Sequence, residues 1–247
     1  MTFRRILAPL GAGTALILIA ALVVFVLWAE SPLRAEPGPL DEVLTSDIGY
    51  TETEEGVVLT PAEPNGTGLV FFSGARVEPA AYAAKLASVV EAGVTVVIVR
   101  PILNFAIFEY RPQADFENAA SDGDDVDTWY VGGHSLGGVK ACQYAADPDN
   151  EVAGLILFGS YCASDISETD LPVLTVVAEN DGLSTPAKIA DAAGLLPPGN
   201  TVVTLPGAVH AQFGDYGVQP GDGTPTATDA EVEELLSNVL LKFLPTP

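Results

Sequence analysis

Short, uninterrupted apolar runs alternate along this chain with longer stretches of mixed polarity. The runs rich in β-branched residues predict strands that are buried on both faces, and they lie at 69–72, 94–99, 127–131, 152–158, 172–178 and 201–205. Helices are predicted around these runs, at 79–92, 139–146, 186–193 and 229–244. Strands that alternate with helices predict the α/β class, with a mostly parallel sheet covered by helices on both faces.

Three further segments are less regular. Residues 41–53 and 56–60 alternate enough to predict two antiparallel strands ahead of the first buried run. The apolar segment 100–108 is too irregular for any prediction. Residues 121–125 resemble the start of a calcium-binding loop but lack its later glutamate, so a solvated turn is the favoured interpretation.

The N-terminal stretch differs from everything after it. Arg4 and Arg5 precede residues 7–29, which carry no charge and are long enough, at about 1.5 Å per residue, to cross a ~30 Å hydrocarbon core. We therefore predict a signal anchor, a single transmembrane helix within residues 1–30, with the N-terminus in the cytoplasm and the rest extracytoplasmic. A cleaved signal peptide, and hence a secreted protein, is the alternative. Residues 31–40 are proline-rich and predict a linker, which leaves 41–247 for one domain.

Charge and cysteine content narrow the possible partners. The formal net charge of −23 repels nucleic acid and anionic lipid, so no nucleic-acid partner is expected. The chain has only Cys142 and Cys162, and neither their number nor their spacing supports a metal site. Export would permit a disulfide between them, whereas the alternative for Cys142 is a small buried apolar residue in a helix.

One motif joins a predicted strand to a predicted helix. Gly133-His134-Ser135-Leu136-Gly137 follows the strand 127–131. A serine on a sharp strand-to-helix turn is held in strained geometry with its hydroxyl exposed, and the flanking glycines let the two elements pass closely. The motif therefore predicts that Ser135 is a nucleophile. The alternative is a glycine-rich turn with the same sequence pattern and a packing role alone.

A serine nucleophile needs a base, and the base needs an acid to orient it. His134 is adjacent to Ser135 and is held by the turn, whereas His210 follows the last predicted strand in a glycine-bearing loop, so His210 is the predicted base. Asp181, on a turn after the strand 172–178, is the predicted acid and completes the order Ser–Asp–His. The competing acids are Glu179, Asp165 and Asp215.

An acyl-transfer site also needs donors for the oxyanion that develops during the reaction. The backbone N–H of Leu136, the residue after the nucleophile, is the first predicted donor. The second should come from the loop after Phe72, where Ala75 is the predicted donor and Gly74 permits a close approach.

These motifs together resemble the α/β-hydrolase superfamily over about residues 41–247. The resemblance is carried by Gly-His-Ser-Leu-Gly, Glu-Asn-Asp-Gly-Leu and Val-His-Ala-Gln-Phe-Gly, with Phe-Phe-Ser-Gly-Ala and Asn-Phe-Ala-Ile-Phe, and it is closest to small, lid-poor bacterial members with the plan of dienelactone hydrolases. It implies a Ser135–Asp181–His210 triad and acyl hydrolysis without a cofactor. Dienelactone hydrolases use cysteine where this chain has Ser135, so their substrate does not carry over. The His-Gly-Gly-Gly motif of many lipases is also absent.

The favoured prediction is a membrane-anchored serine hydrolase that cleaves an ester or related acyl bond of a small-molecule substrate through an acyl-enzyme. The segment between the strands 152–158 and 172–178 is too short for a helical cap, so the site is predicted to be open. An exported, non-catalytic binding or scaffold module of the same fold is the alternative, and so is an acyltransferase.

Overall fold

The computed structural model describes residues 3–120 and 126–245, with side chains from residue 15 onward. The strands are β1 Gly49–Glu52, β2 Gly56–Thr60, β3 Thr67–Phe72, β4 Thr95–Val99, β5 Thr128–His134, β6 Leu155–Phe158, β7 Val173–Ala178 and β8 Thr201–Leu205. The helices are α1 Phe3–Ala29, α2 Pro37–Leu44, α3 Ala83–Glu91, α4 Gln113–Ala120, α5 Leu136–Ala145, α6 Pro186–Asp191 and α7 Asp229–Phe243.

The eight strands of the described residues form one sheet in the order β1-β2-β4-β3-β5-β6-β7-β8. β1 and β2 pair antiparallel, β2 pairs antiparallel with β4, and every later pairing is parallel. Parallel neighbours end at the same edge, so the segments that leave β3, β5, β6, β7 and β8 lie together there. The predicted α/β class with a mostly parallel sheet is confirmed.

The core lies on both faces of this sheet because alternate residues of a strand point to opposite sides. In β3, Leu69 and Phe71 pack with α3 and α7 on one face, whereas Val70 and Phe72 pack with α4 and α5 on the other. All six residues of β3 are buried. At about 25 cal/mol for each Å² of buried apolar surface, such double-sided burial is the main stabilising contribution to this sheet.

The prediction for residues 41–53 was partly wrong. Residues 41–44 belong to α2, which Pro37 opens at a position where a missing N–H costs nothing. Val43 is the buried residue of this helix and packs into the core beside α3, so the apolar position that suggested a strand belongs to a helical face. The second half of the segment is β1, which pairs antiparallel with β2 as predicted.

The residues that follow α1 lie along the domain. Leu33 forms a parallel bridge with Val77, and the N–H of Glu36 donates to the carbonyl of Asp215 over 2.8 Å. Ala29 is buried, and its carbonyl accepts a hydrogen bond of 3.0 Å from the Asn104 side chain. The segment predicted to be a linker is therefore in contact with the domain at several points.

The predicted membrane span overlaps residues 3–14, whose side chains lie outside the described part of the chain. Most large apolar side chains of α1 from Leu16 to Trp28 are exposed. Phe25 and Val26 are half-buried, and the Phe25 ring packs against the Phe105 ring. Among the residues that the structure describes, no helix is long and apolar enough to cross a membrane.

A disulfide joins Cys142 in α5 to Cys162, which follows β6. Both cysteines are buried, so the sulfurs are bonded and also contribute to the core between α5 and the sheet. The acidic turn at 121–125 lies outside the described residues. Within the described ranges, no group of three or more His, Cys, Asp or Glu residues is arranged to hold a metal ion.

Candidate active site

The sequence folds Ser135 into a strained turn. β5 ends at His134 and α5 begins at Leu136, so Ser135 alone makes the reversal, with φ 54° and ψ −123°. A positive φ is costly for a residue with a Cβ. Two hydrogen bonds to the Ser135 backbone stabilise this conformation. The Ser135 N–H donates to Phe158 O over 3.0 Å, and Ser135 O accepts from Ser160 Oγ over 2.6 Å. The side chain is half-buried at the carboxyl edge of the sheet.

The two glycines of the motif are needed because the backbones touch. A Cβ on Gly133 would lie 2.4 Å from the Gly137 carbonyl carbon, and a Cβ on Gly137 would lie 2.1 Å from Phe72 O. No side chain fits at such distances. The glycines therefore bring the start of α5 directly against β3, and with it the N-terminal N–H groups of the helix.

His210 opens a 3₁₀ turn, His210–Phe213, shortly after β8. Its imidazole is completely buried, and Nδ1 lies 2.7 Å from Asp181 Oδ2. A carboxylate can only accept, so Nδ1–H is the donor in this contact and Nε2 is the ring nitrogen that faces away from Asp181. Nε2 has no hydrogen-bond partner among the described residues, which leaves it available to accept a proton.

Asp181 is held in place by the turn that follows β7. Its Oδ1 accepts from the N–H groups of Leu183, over 2.8 Å, and Ser184, over 2.7 Å. These bonds fix the carboxylate plane and leave Oδ2 to accept from His210. The side chains of the pair are both fully buried, where a charge-assisted hydrogen bond is strong because little water competes with it.

The competing acids are occupied elsewhere. Glu179 accepts from the Gly207 N–H over 2.7 Å, and Asp165 is bonded to Ser167. Asp215 is paired with the buried Lys85 Nζ over 2.8 Å. Of the four candidates, Asp181 is the one that contacts His210 within the described part of the chain.

The predicted oxyanion donors lie on neighbouring parts of the sheet edge. Phe72 of β3 pairs with Gly133 of β5, so the loop that contains Ala75 leaves the sheet beside the serine turn. Leu136 is the first residue of α5, and its N–H therefore has no acceptor within the helix. No acceptor for the Ala75 N–H occurs among residues 3–120 and 126–245, whereas the Gly74 N–H donates to Tyr82 Oη over 2.9 Å.

Sequence reasoning missed a second set of hydrogen bonds beside the site, which links Gly74, Tyr82 and His134. Because the Gly74 N–H occupies an oxygen lone pair of Tyr82, the Tyr82 hydroxyl can donate to His134 Nδ1, which lies 2.9 Å away. The His134 ring packs against the His210 ring, with 4.4 Å between centroids. Burial lowers the pKa of His134 well below its ordinary value, and the neighbouring His210 lowers it further. Burial also raises the pKa of Tyr82, so both groups are neutral at pH 7.

The structure brings His210 and Asp181 into contact at the sheet edge that also carries the Ser135 turn, whereas no hydrogen bond joins Ser135 to His210 among the described residues. A hydroxyl, an imidazole and a carboxylate are the groups that nucleophilic acyl chemistry requires. The profile described as the alpha/beta hydrolase family matches residues 68–234 of this chain. Comparison with curated proteins gave no match.

Several solved structures have a similar fold. Est1E from Butyrivibrio proteoclasticus is 15% identical, with 80% of this chain and 98% of that chain covered and a TM-score of 0.53. The esterase domain of a Rhodothermus marinus protein is 12% identical, with 78% of this chain and 96% of that chain covered and a TM-score of 0.54. XC6422 from Xanthomonas campestris is described as an α/β serine hydrolase without a lid. It is 16% identical, with 82% of this chain and 96% of that chain covered and a TM-score of 0.53. At these identities the likeness shows the fold alone.

Proposed function

Because the chain belongs to the alpha/beta hydrolase family, we propose that it is a serine hydrolase that cleaves an ester or related acyl bond through Ser135, His210 and Asp181. The observation that carries the proposal is the 2.7 Å contact between His210 and Asp181 at the ends of adjacent strands. Burying a carboxylate and an imidazole together carries a desolvation cost, and such buried titratable pairs are concentrated at functional sites. Esterases among the structural neighbours support the same class of reaction.

The proposed reaction follows from the protonation states. Ser135 Oγ attacks the acyl carbon while His210 Nε2 takes the hydroxyl proton, and Asp181 stabilises the imidazolium through Nδ1–H. The carbonyl oxygen becomes an oxyanion that accepts from the N–H groups of Leu136 and Ala75, each worth about 3 kcal/mol in the transition state. Collapse of this intermediate expels the leaving group, which takes the proton from His210. Water then attacks the acyl carbon while His210 takes its proton. The second intermediate collapses to release the acid, and the proton returns to Ser135 Oγ.

We also propose that the site is lid-poor and accepts a small acyl substrate. Residues 159–172, all of them described, contain no helix between β6 and β7. This is the place where a helical cap is commonly inserted in the family that the sequence resembles. The lidless description of XC6422 is consistent with this proposal.

The third part of the proposal concerns location. We propose that the apolar N-terminal segment holds the domain at a membrane on the extracytoplasmic side. The uncharged run 7–29 supports it, and so do the exposed large apolar side chains of α1 between Leu16 and Val24. Full-length protein should resist extraction by alkaline carbonate. Release by carbonate would contradict the anchor, and a mature N-terminus near residue 30 would identify a cleaved signal.

Active-site labelling tests the nucleophile. A fluorophosphonate probe should label the full-length protein in detergent, and Ser135→Ala should abolish the labelling. Ser167→Ala is the matched control, because this hydroxyl lies in the segment after β6 and bonds to Asp165. Labelling that persists in Ser135→Ala would refute the assignment. Absence of labelling in the wild type would favour the non-catalytic module.

A substrate panel then separates hydrolysis from transfer. Short- and medium-chain esters, amides and thioesters should be offered with and without a nucleophilic alcohol, and free acid should be the product in both cases. An ester product that forms at the expense of free acid would identify an acyltransferase instead.

A further inference from the structure

The long loop between the His210 turn and α7 carries one carboxylate with an unusual set of partners. Asp222 Oδ1 accepts from the N–H groups of Gly182, over 3.1 Å, and His210, over 3.2 Å. Oδ1 also accepts from Gly223 over 2.7 Å, and Oδ2 accepts from Ala211 over 2.8 Å. One side chain is therefore bonded to the residue after the proposed acid, to the backbone of the proposed base, and to the residue after that base.

The backbone around Asp222 is packed tightly against the acid turn. A Cβ on Gly182 would lie 2.7 Å from Gly223 N and 2.8 Å from Gly221 O. A Cβ on Gly223 would lie 1.8 Å from Asn180 O. The two segments are thus in direct backbone contact on both sides of the Asp222 carboxylate.

Further bonds tie the same three segments together. Asn180 Nδ2 donates to Gly207 O over 3.4 Å and to Thr224 O over 3.3 Å, and the Thr226 N–H donates to Gly207 O over 2.9 Å. We call residues 219–226 the strap, because they cross over the turns that carry Asp181 and His210. Asp222 is the residue of the strap that bonds to both turns.

We propose that Asp222 is a positioning residue for the reaction, which fixes the separation of Asp181 and His210. The proposal rests on the Ser–His–Asp function proposed above. Asp222 bonds to the His210 backbone and not to its ring, so its influence on chemistry passes through the Asp181–His210 contact.

The chemistry of the side chain explains why an aspartate is needed. A carboxylate accepts at both oxygens, and here Oδ1 accepts from three N–H groups and Oδ2 from the fourth. Asparagine has one acceptor oxygen, and its amide would set two donors against the N–H of Ala211 or of Gly182 and His210. Replacement by asparagine should therefore loosen at least one of the two turns, although size is preserved.

The first experiment measures ester hydrolysis by full-length Asp222→Asn. We expect kcat to fall roughly ten- to a hundredfold, the usual effect of a misplacement of about 1 Å, with KM changed by less than a factor of about two because no substrate contact is removed. Asp191→Asn is the matched control: it removes the same charge from an exposed position in α6 and should leave kcat unchanged.

A double-variant cycle separates positioning from a general structural role. In the Asp181→Asn background the carboxylate that Asp222 is proposed to position is absent, so Asp222→Asn should cost little more. An equal fold-loss in both backgrounds, or no loss in the wild-type background, would overturn the proposal. If the asparagine variant does not fold, Asp222→Glu takes its place in both backgrounds. It keeps the charge and displaces the oxygens by one methylene, so unchanged kcat in that variant would also overturn the proposal.

A spectroscopic readout keeps the test independent of turnover. The Nδ1–H proton of a histidine bonded to a carboxylate gives a far-downfield proton resonance. We expect this signal in the wild type and in Asp191→Asn, and its loss or broadening in Asp222→Asn. An inactive wild type that shows this pattern would refute the proposed hydrolase while the positioning role stands. A signal unaffected by Asp222→Asn would refute the positioning role.

Discussion

At the scale of single residues, His134 is the most constrained group next to the site. It is almost completely buried, and its Nδ1 lies within hydrogen-bond distance of the Tyr82 hydroxyl. Its ring packs against those of His210 and Phe213. A charged imidazole would have to be desolvated there without a counter-ion, and this cost is why the pKa of His134 is lowered. His134 therefore supports the proposed base as a neutral packing surface.

The lowered pKa of His134 predicts a pH-dependent stability. Below about pH 6.5 the unfolded chain binds a proton at this histidine that the folded chain does not bind, so the free energy of unfolding should fall as pH falls. The slope is at most about 1.4 kcal/mol for each pH unit. Urea unfolding of the wild type and His134→Asn over this range measures it. The variant should show a shallower dependence, and parallel curves would contradict the prediction.

The proposed triad predicts losses that do not add. Asp181→Asn should keep the shape of the pair but favour the wrong imidazole tautomer, with a loss of about 10⁴-fold in kcat. His210→Ala should remove nearly all turnover, and the double variant should be scarcely worse than His210→Ala, since the pair acts as one unit. Glu179→Gln is the control, because Glu179 bonds to Gly207 instead. Additive losses would show that Asp181 acts independently of His210.

The sequence could indicate Asp181 and His210 because a parallel sheet brings its strand ends together whatever the details of the loops. The same logic could not find Asp222 or the bond between Tyr82 and His134. Asp222 lies twelve residues beyond His210 in a loop without periodicity, and Tyr82 is distant in sequence from its partner. Such contacts depend on how loops fold back over the sheet, which no local pattern encodes.

At the scale of elements, the contact of α5 with β3 depends on Gly137. A Cβ at this position would lie 2.1 Å from Phe72 O, far below any real contact distance, so even alanine would push the helix away from the sheet. The whole first turn of α5 would then move, together with Ser135 before it.

Gly137→Ala should therefore destabilise the fold by about 1–3 kcal/mol, as expected for overpacking, and should also reduce labelling of Ser135. Gly194→Ala is the control, since a Cβ at that exposed position meets nothing within 4 Å and should change stability by less than about 0.5 kcal/mol. Thermal unfolding of both variants measures the difference. Equal stability of the two would contradict the close approach.

The elements were predictable where burial was two-sided and less so elsewhere. β3 and β4 are continuous apolar runs because both faces of the sheet are covered. α2 carries one buried residue, Val43, in eight, so its pattern was too weak to distinguish a helix from a strand. The segment 100–108 forms two short 3₁₀ turns, Ile102–Asn104 and Ala106–Phe108, and Leu103 and Asn104 there have positive φ, which no apolar periodicity can indicate.

At the scale of the whole molecule, the disulfide ties the nucleophile helix to the segment after β6. The bridge joins residues separated by 20 positions, and closing a loop of that length stabilises a fold by ~3 kcal/mol through the entropy of the unfolded chain. Cys142→Ala with Cys162→Ala should lower the urea midpoint accordingly. Dithiothreitol should lower the wild-type midpoint and leave the double variant unchanged. A wild type indifferent to reduction would contradict this role.

The strap has a consequence for the order in which the molecule is completed. A ribosome releases the serine turn at the end of β5 long before residues 219–226 exist, and β3, β4 and β5 can already pair at that stage. The turns of Asp181 and His210 come later, and the carboxylate that joins them comes later still. A nascent chain that has not yet reached residue 219 would thus present the Ser135 turn before the Asp222 carboxylate joins the turns of Asp181 and His210. For the proposed hydrolase, the full arrangement is therefore reached only when residues 219–226 have been synthesised and packed over both turns.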